Sequence, residues 1–181
     1  EEGFFVKIGV KEGGIVALSG VMLVAMAFTI EKVDGNANKS LSTENEIVHS
    51  DGVSQHFSCT GNGGPTVVLE NGLGADSSAW ENVVPQVAKT ARVCTVDRAG
   101  VGGSPDRVKE KNGPVENANE LITGLKGAGE TGPFVFVGWS YGGVVSLVAA
   151  EKADSHTPNK PDDLAGLVLV DGSLPDEYRT I

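Results

Sequence analysis

Four short apolar runs between residues 66 and 170 set the pattern of this chain: Thr66-Val-Val-Leu69, Val93-Cys-Thr-Val96, Phe134-Val-Phe-Val137 and Leu167-Val-Leu-Val170. Each is rich in β-branched or aromatic residues and stops at a glycine or an acid: Glu70, Asp97, Gly138 and Asp171. Runs of this length, apolar on both alternating sets, read as strands buried on two faces. Helical stretches follow three of them. One begins near Ala79-Trp80, with capping residues at Asp76 to Ser78. A second runs from Val115 to Lys126 after a charged loop beginning at Pro105. A third begins at Val144. Strands alternating with helices predict an α/β fold with a mostly parallel sheet and flanking helices.

Residues Gly13 to Ile30 follow a different pattern: 18 positions without a charge, with Lys7, Lys11 and Glu12 before them and Glu31, Lys32 and Asp34 after. As a helix they would reach about 27 Å, near the thickness of bilayer hydrocarbon. The expectation is a single transmembrane helix at about 13–30, inside an N-terminal segment 1–32, in a membrane the sequence does not name. Small residues Gly13, Gly14, Ala17, Gly20 and Ala25 would let other membrane-protein subunits pack closely on it. The rivals are a cleavable signal peptide, since Ala25-Met-Ala27 resembles a cleavage site, and a buried soluble helix. Two lysines on each side leave the orientation open. From Val33 the chain turns polar, which predicts a linker over 33–52 before a domain over 53–181. Asn38-Lys-Ser40 would accept a glycan only if it faced a secretory lumen.

The chemistry concentrates where strands end. After the Phe134 run comes Gly138-Trp-Ser140-Tyr-Gly142-Gly143, then a helix. Strand, G-x-S-x-G, helix is the context of a nucleophile elbow, in which a serine rides a strained turn and its flanking positions must lack bulk. The helix N-terminus beneath it favours a developing oxyanion. The alternative is a serine that only caps the helix. An oxyanion hole needs two converging N–H groups; Tyr141 would supply one, and Leu73, in Asn71-Gly-Leu-Gly74 after the first run, the other. Asp97-Arg98-Ala-Gly-Val-Gly-Gly-Ser104 closes the second run, and its charged pair reads as loop bracing rather than catalysis.

In order and spacing these motifs resemble the amino-terminal half of the α/β-hydrolase superfamily. The likeness runs from about Val53 to Pro175 and includes the opening Cys59-Thr-Gly-Asn-Gly-Gly-Pro-Thr-Val-Val-Leu-Glu-Asn-Gly-Leu-Gly74. The resemblance implies a partial hydrolase fold and esterase or lipase-like chemistry at Ser140. Trp139 departs from it, where such families usually carry histidine. So does the missing base. The family order is serine, acid, histidine, and the one histidine after Ser140 is His156, in a polar loop far too early. His49 and His56 precede the first motif. Asp171 is a weak candidate for the acid. The family's sheet also needs more than the 148 residues from Asp34 to Ile181, which would leave a strand edge unpaired.

Charge and cysteines narrow the partners. The net charge is −10, of which residues 1–32 carry −1. That balance argues against nucleic acid and against adhesion to anionic lipid. Cys59 and Cys94 read as buried free thiols. Gly127-Ala-Gly129-Glu-Thr-Gly132 matches a dinucleotide fingerprint but precedes a strand instead of following one, so no cofactor is expected, and no metal. The reading for the chain as written is a membrane-anchored, hydrolase-like protein, catalytically incomplete, acting as an accessory or structural subunit of a membrane complex. The bilayer and other membrane subunits would be its partners through Gly13–Ile30, and an acyl ester its ligand. The alternative is a serine ester hydrolase whose acid and histidine lie beyond Ile181. A ligand-binding module using a vestigial pocket ranks third.

Overall fold

The computed structural model describes residues 5–10, 14–19, 44–50, 52–108, 111–154 and 163–172. Among them the elements run β1 (Phe5–Val10), β2 (Gly14–Ser19), β3 (Glu44–Ser50), β4 (Val53–Thr60), β5 (Thr66–Glu70), a 3-10 turn (Ser77–Trp80), α1 (Val84–Val87), β6 (Val93–Asp97), α2 (Pro114–Gly127), β7 (Phe134–Trp139), α3 (Tyr141–Ala153) and β8 (Leu164–Val170). The four apolar runs are β5 to β8. They form the parallel centre of one sheet, ordered β2-β1-β8-β7-β5-β6-β4-β3, with antiparallel strands at both flanks.

Alternation along these strands divides the core in two. Phe134 and Phe136 of β7 are buried on the face covered by α2 and α3, with Phe57, Val68, Val96, Leu121, Leu125 and Val145. Val137 and Trp139 point the other way, onto Leu69, Trp80 and Val93, beneath the 3-10 turn and α1. Helix α2 starts on Pro114 at its first position, where the missing N–H costs nothing, and buries Ala118, Leu121 and Leu125 at helical spacing. Burying a leucine of this kind contributes about 1.5–3 kcal/mol. Gly124 permits the close approach to β4: an added Cβ would sit 2.5 Å from the Phe57 ring.

Four expectations are corrected here. Gly14–Ser19, inside the stretch expected to be a transmembrane helix, is strand β2, paired antiparallel with β1, which in turn pairs with β8. An uncharged run satisfies its backbone equally well in a hairpin, and periodicity does not separate the two. Among the described residues no helix is long and apolar enough to cross a membrane. The rest of that stretch, Gly13 and 20–30, lies outside the described residues. The β1–β2 hairpin also covers the edge of β8 that was expected to stay unpaired.

The linker expected over 33–52 contains β3, which pairs with β4 from Glu44↔Cys59 to Ser50↔Val53. An edge strand needs few apolar anchors. Val48, buried, is one, and an added Cβ on Gly127 of α2 would touch it. Cys59 and Cys94, expected as free thiols, face each other across β4 and β6 and form a buried disulfide. They are opposed residues of neighbouring antiparallel strands, a proximity that their separation of 35 positions conceals.

Candidate functional site

Ser140 occupies the sharp turn between β7 and α3 with φ 53° and ψ −122°. An L-residue rarely adopts this backbone, and holding it there costs of order 1–3 kcal/mol. The surroundings leave no choice. The Ser140 N–H donates to the Val170 carbonyl at 3.1 Å, and its carbonyl accepts from Gly143 N at 2.8 Å. The flanking glycines are sterically required. A Cβ on Gly138 would lie 2.2 Å from the Gly142 carbonyl oxygen, and one on Gly142 would lie 2.4 Å from that of Glu70. Ser140 sits at the cap of α3, yet its side chain makes no capping hydrogen bond. The reading of Ser140 as only a cap therefore fails.

The loop after β5 is fixed from several sides. Arg98, at the end of β6, donates Nη1 to the Asn71 carbonyl at 2.7 Å and to Glu70 Oε1, and Nη2 to the Gly72 carbonyl. Asn71 Nδ2 donates to the Val96 carbonyl at 2.7 Å. Gly72 lies against the indole of Trp139, 3.1 Å from where its Cβ would be. Burial pushes the Glu70 carboxyl up to about 7, against the pull of the Arg98 guanidinium. The next residue, Leu73, is 80% exposed, so burial of its side chain contributes little to holding the loop. The expected cap is present: Asp76 Oδ1 accepts from Ser78 N at 2.9 Å and opens the 3-10 turn.

Leu73, Arg98 and Tyr141 line one cavity of about 580 Å3, together with the apolar Val101, Pro114 and Val144. Its polar wall comes from α2. Asn117 Nδ2 donates to the Tyr141 hydroxyl at 3.0 Å, and Asn117 Oδ1 accepts from Arg107, which is paired with Glu120 at 2.6 Å. The Asn117–Tyr141 and Arg98–Glu70 links escaped the sequence reading. For the second there was a signal: an acid ending one strand and an arginine just past the end of another can meet when those strands are neighbours.

The remaining candidates divide by topology. Asp171 follows Val170, the residue bonded to Ser140, so it sits one strand over from the serine, exposed, with φ 44°. Asp97 braces loops, as expected. Its carboxylate accepts from Ser77 N at 2.7 Å and Gly103 N at 2.9 Å, and faces His56 Nδ1 at 3.3 Å. His56 is on β4, three strand spacings or about 14 Å from β7. His49 is on β3, further out, against Ser54. Neither reaches Ser140, and His156 lies outside the described residues. Among the described residues Cys59, Cys94 and Glu130 converge within ligand distance, but the two sulfurs are bonded to each other and Glu130 is paired with Arg92.

Comparison with known proteins agrees with this arrangement. The chain is 34% identical over 116 residues to the uncharacterized protein YqjL of Bacillus subtilis, covering 64% of this chain and 43% of that protein. It is 34% identical over 110 residues to the pimeloyl-(acyl-carrier protein) methyl ester esterase of Aeromonas hydrophila, covering 61% of this chain and 39% of the esterase. It thus spans less than half the length of these curated relatives. The Cif epoxide hydrolase from Acinetobacter nosocomialis shares the fold at TM-score 0.55 and 21% identity, over 71% of this chain and 46% of that one. The family model for the alpha/beta hydrolase fold matches residues 65–181, which contain the Ser140 turn, the Leu73 loop and the Arg98 clamp. A strained serine between a parallel strand and its helix, within a matching stretch of that extent, makes this chain a member of the alpha/beta hydrolase fold family.

Proposed function

We propose that this chain carries the nucleophile and oxyanion hole of a serine ester hydrolase. The backbone of Ser140 carries the reading: a serine is held at φ 53° and ψ −122° with no capping duty to explain it. Strain of this kind persists at functional sites because the surroundings over-determine it. In the proposed reaction Ser140 Oγ attacks the acyl carbon while its proton passes to a base. The carbonyl π electrons move onto oxygen, where the Leu73 and Tyr141 N–H groups receive them. Collapse expels the alcohol, protonated by the same base, and water then releases the acid by the same route. Asp171, one strand from Ser140, is the acid available nearby, and a histidine from outside the described residues completes the site. The apolar lining by Leu73, Val101, Pro114 and Val144 suits an uncharged acyl chain. The Cys59–Cys94 disulfide supports a place in an oxidising compartment.

A fluorophosphonate probe tests the reading. Ser140 in the full chain should label, and Ser140→Ala should not; an unlabelled wild type with intact fold sinks it.

A further inference from the structure

In the loop bearing Leu73 the Gly72 carbonyl accepts from the Arg98 guanidinium, beside a 3.3 Å bond from Ala75 N. Arg98 is 6% exposed and binds two successive backbone carbonyls, of Asn71 and of Gly72, as well as the Glu70 carboxylate. The same guanidinium lies 5.4 Å from the centroid of the Tyr141 ring. One side chain therefore contacts the residues on both sides of the oxyanion hole.

Peptide geometry turns the Gly72 contact into a statement about Leu73. The peptide unit is planar and trans, so the Gly72 C=O and the Leu73 N–H lie in one plane and point in opposite directions. A donor anchored on that carbonyl sets where the Leu73 hydrogen points. The rigid fork of a guanidinium holds two carbonyls in a fixed planar geometry, whereas an ammonium is a point charge on a flexible stem. On its other side the Trp139 ring blocks retreat of Gly72. A second buried pair shows what a purely structural arginine does here. Arg92 is equally buried and pairs with Glu130 at 2.7 Å, but it does not line the cavity.

We propose that Arg98 is the positioning residue of the oxyanion hole: by anchoring the Gly72 carbonyl it aims the Leu73 N–H at the oxygen of the bound acyl group. The proposal rests on the hydrolase reading above. Arg98 forms and breaks no bond in the reaction; its terminal nitrogens Nη1 and Nη2 are engaged by Glu70 and the loop.

The test compares Arg98→Lys with Arg92→Lys in the full chain, using the rate of fluorophosphonate labelling at Ser140 and the kinetics on a p-nitrophenyl ester. Losing one oxyanion donor costs about 100-fold or more in turnover. Arg98→Lys should therefore slow labelling and lower kcat by about that factor with KM unchanged, the signature of an interaction made only in the transition state. Arg92→Lys should label at the wild-type rate. A wild-type rate in Arg98→Lys overturns the proposal, and so does equal slowing in both variants. Should Arg98→Lys fail to fold, Arg98→Gln, which keeps a planar donor, is read by the same two outcomes. If the wild type itself does not label, the hydrolase reading fails, and the Leu73 amide decides the positioning alone. A changed nitrogen shift and faster hydrogen exchange in Arg98→Lys then support it, and unchanged values overturn it.

Discussion

Replacing Ser140 by glycine should stabilise this protein, although it removes the proposed nucleophile. Ser140 holds φ 53° and ψ −122°, a backbone open to glycine and strained for any residue with a Cβ. Relief of that strain contributes about 1–3 kcal/mol. Glycine gives back about 0.4–1 kcal/mol through the greater freedom of the unfolded chain. The net gain is about 0–2.6 kcal/mol, centred on about 1.3 kcal/mol, which for a chain of this size raises Tm by about 3–5 °C at the centre of the range. Ser140→Ala is the control. It keeps the Cβ and hence the strain, and the hydroxyl it removes makes no capping bond, so it should stay within about 0.5 kcal/mol of wild type. Both backbone bonds, to Val170 and Gly143, survive in either variant. Urea and thermal unfolding of the three proteins, with CD checking the fold, give the comparison. If Ser140→Gly is no more stable than Ser140→Ala, the strain at this turn is not real and the argument for function built on it falls.

Other outcomes follow from the same geometry. Gly142→Ala would press a methyl against the Glu70 and Asn71 carbonyl oxygens, at 2.4 and 2.5 Å, and neither is a flexible side-chain end; the urea midpoint should fall by the equivalent of about 1–3 kcal/mol or more, and an unchanged midpoint contradicts the packing. Removing the disulfide as Cys59→Ala with Cys94→Ala releases a loop of 35 positions and should cost about 4 kcal/mol on the chain-entropy account, read from denaturant unfolding against the oxidised protein. The Glu70 carboxyl is raised by burial from 4.5 to about 7, so between those values the folded state binds a proton that the unfolded state has lost. Its contribution is therefore fully present below pH 4.5 and lost as pH rises to about 7, a change of roughly 3 kcal/mol that Glu70→Gln should abolish in a pH series of urea midpoints.

Much of this fold is written in local pattern. The apolar runs at 66, 93, 134 and 167 became β5, β6, β7 and β8, and Val115–Lys126 became α2 within a residue at each end. The Ser140 turn was legible because its demand is local: the two neighbours that must lack bulk lie two positions away on each side. The flanks of the sheet were not. Asp51-Gly52 is a hairpin signal between β3 and β4, but the polar residues around it masked an edge strand that buries little. Gly14–Ser19 misled for the opposite reason. An apolar run reports that its residues avoid water, not whether a helix or a sheet receives them.

What the sequence alone determined is the kind of site: a serine between small residues at the end of a buried strand, with a glycine-flanked loop to face it. Steric exclusion and backbone freedom act over a few residues, so they can be read in order along the chain. What only the tertiary structure decided is which distant residues meet. Strand order places β5 between β6 and β7, so that Arg98 reaches the loop bearing Leu73, and it separates His56 from Ser140 by three strands. It also brings Cys59 onto Cys94. Hydrogen bonds, ion pairs and disulfides act through space over a few ångströms, and the order of strands in a sheet, not their order in the chain, sets those distances.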